Sequence, residues 1–147
     1  MIESDSGNGP ARGFEFEVGP SADVKGVSDA ARARQKDILA SALKRLESIA
    51  PLLRPLDATT MSAGGSGADV GPSVRLGIAG MGLNHDTTKY FEIHHTEADT
   101  FEKIDKNALN RNVATMAVMA YVLAEMPERL VPGAAFDSFE DPKKARE

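Results

Sequence analysis

An α/β fold is predicted by three features of the sequence. A short segment alternates apolar and acidic side chains with period two, two longer segments repeat their apolar residues with helical spacing, and glycines and prolines cluster between the periodic parts. At 147 residues the chain can bury roughly two thirds of its unfolded surface in one core. That fits one domain and leaves no room for two ordinary ones.

Residues 1–13 hold Gly7, Gly9, Pro10 and Gly13 beside Ser4, Asp5, Ser6 and Asn8, a composition of irregular backbone that puts Asp5 on a loop. Phe14-Glu15-Phe16-Glu17-Val18 follows, closed by Gly19-Pro20. It reads as a half-exposed strand whose acidic face meets water. From an N-cap at Ser28 or Asp29, apolar residues recur at Ile38, Leu39, Ala42, Leu43, Leu46, Ile49 and Ala50 until Pro51, which predicts an amphipathic helix. Its interleaved Arg, Lys, Asp and Glu residues mark a solvated outer face.

Residues 54–73 are poor in large apolar groups and contain Gly64-Gly65-Ser66-Gly67. A glycine run can cradle an anion, but this one lacks a Walker lysine and the GxGxxG spacing. Asp69 suits the N-cap of a short helix to Leu76 that Gly77 stops. Residues 78–83 read as a brief buried strand, and Tyr90-Phe91-Glu92-Ile93 as a second extended piece. Asp105 caps the last helix, where Leu109, Val113, Met116, Ala120 and Leu123 form the apolar stripe and Pro127 ends the pattern. Residues 131–147 read as a polar, disordered tail.

With 17 basic and 22 acidic residues the net charge is −5, and no clustered basic face offers itself to nucleic acid. The absence of cysteine removes disulfides, thiolate metal sites and cysteine nucleophiles. No apolar run approaches the roughly 20 residues that span a bilayer, and Met1-Ile2-Glu3-Ser4 does not open a signal peptide, so the chain as written reads as soluble.

The three histidines, His85, His94 and His95, fall within eleven positions and, with Asp86, Glu97 and Asp99, form the densest set of metal-donor side chains. Imidazole and carboxylate donors suit zinc. Adjacent residues on an extended segment point to opposite sides, so only one of His94 and His95 would face an ion. A surface cluster without function remains the alternative at this point.

Glu3-Ser4-Asp5-Ser6-Gly7, the 65–72 segment Gly-Ser-Gly-Ala-Asp-Val-Gly-Pro, and above all the 90–100 segment Tyr-Phe-Glu-Ile-His-His-Thr-Glu-Ala-Asp-Thr stand in this order ahead of a terminal helix. Together they resemble the C-terminal part of a dinuclear zinc exopeptidase of the carboxypeptidase Q and bacterial aminopeptidase group, over residues 1–130. The resemblance implies a three-layer fold, a mixed sheet with helices on both faces, incomplete on its N-terminal side. It implies two zinc ions, one ligated by Asp5 and the other by His95. The bridging aspartate, the remaining ligands and the general-base glutamate would lie upstream of Met1, so no catalytic base is assigned within this chain.

Glu3 neighbours Asp5 but reads as structural. Asp99 is either an acceptor that orients an imidazole or a cap of its own turn. His94 and Asp69 are candidates for the pocket or its surroundings, although helix capping suits Asp69 better, and His85 reads as a solvated loop residue. The implied partner is a peptide or dipeptide substrate, with no nucleic acid or membrane, and homo-oligomers stay open. A secreted or periplasmic location fits the full-length family. The rival reading is a non-catalytic interaction module that keeps the fold. As given, the chain is expected to leave a sheet edge and an apolar helix face open.

Overall fold

The computed structural model describes residues 1–20 and 24–131. The expected tail therefore lies, from residue 132 onward, outside the described residues. In chain order the elements are β1 (Ile2–Glu3), β2 (Ala11–Glu17), α1 (Asp29–Ile49), a 3-10 segment (Ala50–Leu56), β3 (Thr60–Ala63), α2 (Gly71–Arg75), β4 (Gly80–His85), α3 (Tyr90–Ile93), a 3-10 turn (Phe101–Lys103) and α4 (Lys106–Glu125).

The four strands form one mixed sheet in the order β1-β4-β2-β3. β2 runs parallel to β3 and antiparallel to β4, while β1 runs parallel to β4. The parallel β2–β3 pair requires a long crossover, and α1 supplies it. Register explains the alternation of β2: Phe14 lies opposite Leu83 and Phe16 opposite Met81, so all four side chains point to one face. On that face they join Ala42, Leu46 and Ile49 of α1, Leu53, and Met119 of α4 in the core. The other face carries Glu15, Glu17, Gly80 and Gly82, and there α2 packs Val74 against Gly80 while the Gly64–Gly67 loop crosses the strands. The layers are thus two long helices, the sheet, and a thin layer of α2 and loop, as the resemblance implies.

Several elements depart from the pattern read in the sequence. β2 starts three residues earlier than the alternation, because Ala11 and Gly13 pair with His85 and Asn84 across a register shift. Gly13 has φ 149°, and a Cβ there would fall 1.8 Å from the Thr60 carbonyl oxygen; the close approach of β3 demands glycine. β3 has no legible pattern of its own and exists through pairing with β2. β4 is displaced by two residues, to Gly80–His85.

The segment from Tyr90 is a helical turn rather than a strand. Ser28 caps α1 by accepting from the Ala31 amide, and Asp105 caps α4 by accepting from Ala108, both as expected.

On α4 the buried stripe is Ala108, Asn112, Thr115 and Met119, while Leu109 and Val113 are 41% and 58% exposed. Hydrogen bonds make the polar pair tolerable inside. Asn112 accepts from the Ala11 amide and donates to the Gly9 carbonyl, and the Thr115 hydroxyl donates to the Arg111 carbonyl.

Candidate functional site

The loop between β1 and β2 carries Asp5, and it is held from both sides. The Ser4 hydroxyl lies 2.9 Å from His85 Nε2, and the Gly9 carbonyl accepts from His85 Nδ1 at 2.8 Å and from Asn112 Nδ2 at 2.9 Å. Asn8 donates to the Lys103 carbonyl, and the Asp86 amide to Pro10. Gly7, at φ 84°, sits under the Tyr90 ring, where a Cβ would meet ring carbon at 2.7 Å. The Asp5 and Ser6 side chains then border a cavity of about 260 Å³ whose floor includes Glu15, Gly82 and Asn84.

A second cavity of about 790 Å³ lies on the other side of the loop, bordered by Tyr90, His94 and Asp99. Ser6 lines both.

The His94-His95 segment follows α3. His95 adopts φ 57°, a left-handed conformation uncommon for a residue with a Cβ. With the backbone turned this way the two rings do not diverge as they would on a strand; they stack with centroids 3.9 Å apart. His94 also stacks on Tyr90 at 4.3 Å, and the Tyr90 hydroxyl donates to the Asp5 carbonyl at 3.5 Å. Phe91 meets Tyr90 edge-on. One aromatic column therefore links the loop of Asp5 to His95.

The remaining candidates separate. Asp86 is committed to Thr88, whose amide and hydroxyl both donate to it, and to Arg12. The Thr88 hydroxyl, the Thr88 amide and the Arg12 guanidinium hold its carboxyl well below the ordinary value of 3.8. It is a turn organiser rather than a spare metal donor.

In the turn that carries Asp99, the Ala98 amide donates to the Thr96 hydroxyl and the Asp99 amide to the Thr96 carbonyl. Asp69 does not cap α2. The Glu3 carboxylate accepts from the Asp69 and Val70 amides that lead into the helix, whose N-cap residue Val70 makes no side-chain cap bond of its own.

Two further corrections concern the loop of residues 64–67 and His85. The Ser66 amide and hydroxyl both donate to the Glu17 carboxylate, so the anion cradled by the glycine run is the protein's own carboxylate. Gly67, at φ 112°, makes room for the Glu3 carboxylate, and Gly64 for that of Glu15. The acidic face of β2 is thus half-buried under the loop instead of open to water.

His85 is 4% exposed, not solvated. The period-two parity of Met81, Leu83 and His85 on β4 was the signal for its inward side chain.

Carboxylate and imidazole donors of Asp5 and His95 are of the kinds zinc takes. Among the described residues, however, no group of three or more His, Asp or Glu side chains is gathered that could hold a metal ion. No helix among them is long and apolar enough to cross a membrane.

This sheet, with its helices and Asp5 loop, is of the peptidase M28 class. A solved peptidase M28 precursor from Shewanella amazonensis superimposes with a TM-score of 0.64 at 29% identity, over 89% of this chain and 25% of its own. Carboxypeptidase Q of Mus musculus is 33% identical over 130 residues, 88% of this chain and 23% of its own length. Carboxypeptidase Q of Homo sapiens is 36% identical over 85 residues, 58% of this chain and 18% of its own. No protein-family model matches the chain. The chain belongs to the carboxypeptidase Q and peptidase M28 group and spans about a quarter of the length of the relatives that it matches along most of its own.

Proposed function

We propose that this chain is the C-terminal part of a zinc-dependent exopeptidase domain in which Asp5 ligates one zinc ion and His95 the other. The observation that carries the reading is the aromatic column: Tyr90 reaches the Asp5 main chain and begins the stack that ends on the His95 ring. Both donors are exposed, so neither is consumed by an internal contact that the fold needs.

The reading assigns the other ligands and the general-base glutamate to chain outside these 147 residues. When bound, the metal pair supplies polarisation of water and of a peptide carbonyl. The chain's own contribution is the placing of donors. The loop of residues 4–10 presents Asp5, α3 presents His94 and His95, and Asp99 keeps a carboxylate to accept an imidazole N–H.

The substrate is a peptide or dipeptide, accommodated in the cavities on either side of Ser6. A secreted or periplasmic setting agrees with the description of the Shewanella neighbour as a precursor.

Zinc titration followed by amide and imidazole chemical shifts tests the assignment. Binding is expected to be weak, to perturb the signals of Asp5 and His95, and to lose one set of perturbations in Asp5→Ala and the other in His95→Ala. No hydrolysis of dipeptides by the 147-residue chain is expected. Chelator-sensitive hydrolysis by this chain would refute the division of ligands, and a zinc response indifferent to both variants would favour the non-catalytic module.

A further inference from the structure

We infer that His85 is a positioning residue for the Asp5 loop, a buried brace that joins both ends of that loop to the sheet and to α4. The inference rests on the proposed role of Asp5 for its functional meaning and on the geometry around His85 for its substance.

His85 ends β4 with its ring 4% exposed, and both ring nitrogens are engaged by the same loop. Nδ1 faces the Gly9 carbonyl at 2.8 Å. A carbonyl only accepts, so Nδ1 carries the hydrogen and donates. In the neutral ring Nε2 is then an acceptor, and the Ser4 hydroxyl donates to it at 2.9 Å.

Ser4 directly precedes Asp5, and Gly9 lies four residues beyond it. One ring therefore pins the loop on both sides of Asp5. Asn112 fixes the second attachment: its Nδ2 donates to the same Gly9 carbonyl at 2.9 Å, while its Oδ1 accepts from the Ala11 amide. The Gly9 carbonyl thus has two donors, one from the sheet and one from α4.

Besides the brace, the loop is tied by Asn8 to the Lys103 carbonyl, by the Asp86 amide to the Pro10 carbonyl and by the 3.5 Å contact of the Tyr90 hydroxyl with the Asp5 carbonyl, and of these hydrogen bonds only the last falls within residues 4–7. Residues 4–7 are exposed and contribute no side chain to the core. Without the attachments, the Asp5 carboxylate would sample many positions, and a metal ligand must pay that ordering cost on binding.

The test uses Ser4→Ala, which removes one hydroxyl at an exposed position, Ser4→Thr, which keeps it, and His85→Phe, which keeps a ring but removes both attachments. Three readouts are compared in the 147-residue chain: the melting temperature, amide hydrogen exchange at Ser6, Gly7 and Asn8 relative to β2 and β4, and the response of Asp5 to zinc alone. The expected result for Ser4→Ala is an unchanged melt, faster exchange confined to the loop, and zinc binding at Asp5 weakened about 10-fold, with Ser4→Thr restoring the parent values. Should His85→Phe fail to fold, Ser4→Ala alone decides.

Unchanged loop exchange in Ser4→Ala overturns the brace. Faster exchange with undiminished zinc binding overturns its positioning role, since the loop would then be tethered to no purpose for Asp5. If Asp5→Ala leaves the zinc response intact, the ligand assignment falls by itself, and loop exchange still decides whether His85 holds the loop.

Discussion

The Glu17 carboxylate accepts both the backbone amide and the hydroxyl of Ser66, and through this pair the end of β2 holds the Gly64–Gly67 loop across the sheet. Ser66 is 1% exposed, so neither of its groups can turn to water. Glu17→Ala should therefore cost about 1–3 kcal/mol, the penalty of leaving buried donors unpaired. Glu17→Gln, which keeps an acceptor, should cost less. Urea unfolding of the two variants beside the parent chain measures the difference, and equal losses would mean that the loop is held by something other than this carboxylate.

Leu46 and Leu109 separate the buried from the open side of the long helices. Leu46 is fully buried in the core under the sheet, whereas Leu109 is 41% exposed. Leu46→Ala is expected to destabilise by about 2–5 kcal/mol, through lost transfer energy and the cavity left behind. Leu109→Ala should stay within about 0.5 kcal/mol of the parent. A comparable loss from both, measured by denaturant midpoints, would show that the outer stripe of α4 is covered in solution.

Tyr90 is the joint between the Asp5 loop and the two histidines. Tyr90→Phe should leave the stack intact, because its hydroxyl contact at 3.5 Å is long. Tyr90→Ala should release His94 and uncover the Asp5 loop at Gly7, over which the Tyr90 ring lies. The imidazole Hε1 shifts of His94 and His95 report this directly: ring-current displacement is retained in the first variant and relaxed in the second. Identical spectra for both variants would contradict the column.

Asp86 supplies the pH dependence. Its folded carboxyl titrates well below the ordinary 3.8 because Thr88 donates two hydrogen bonds to the ionised form and Arg12 a third. A depressed folded value means that the unfolded chain takes up the proton first. The stabilising contribution is then complete above pH 3.8 and is lost as pH falls below that toward the folded value. The Asp86 carboxyl carbon should show no titration step between pH 6 and pH 4. Thr88→Ala should move the step upward toward the ordinary range, since it removes the hydroxyl donor.

Much of the architecture was legible in the one-dimensional pattern because it depends on local periodicity and capping. The spacing of Ala42, Leu46 and Ile49 faces one side of any helix, and Ser28 and Asp105 satisfy helix ends within three residues of themselves. The same locality explains Phe14 and Phe16, whose alternation puts them on one face of any strand. The motif around His95 was likewise readable as a string of residues, and it carried the family.

Tertiary structure alone decided the features whose partners are distant in sequence. β3 is a strand because β2 offers it a ladder, and α4 buries Asn112 in place of Leu109 because the Gly9 carbonyl and Ala11 amide wait for that amide group about a hundred positions away. His85 changes from a loop residue to a buried brace for the same reason. Glu3 of β1, and not Asp69, satisfies amides at the entry to α2, because it accepts from Asp69 and Val70 across 66 and 67 positions of sequence. In each case a buried polar group must find a hydrogen-bond partner, and the chain's path through space determines which partner is within 3 Å or so. Periodicity belongs to the sequence itself; satisfaction of buried polar groups belongs to the folded chain.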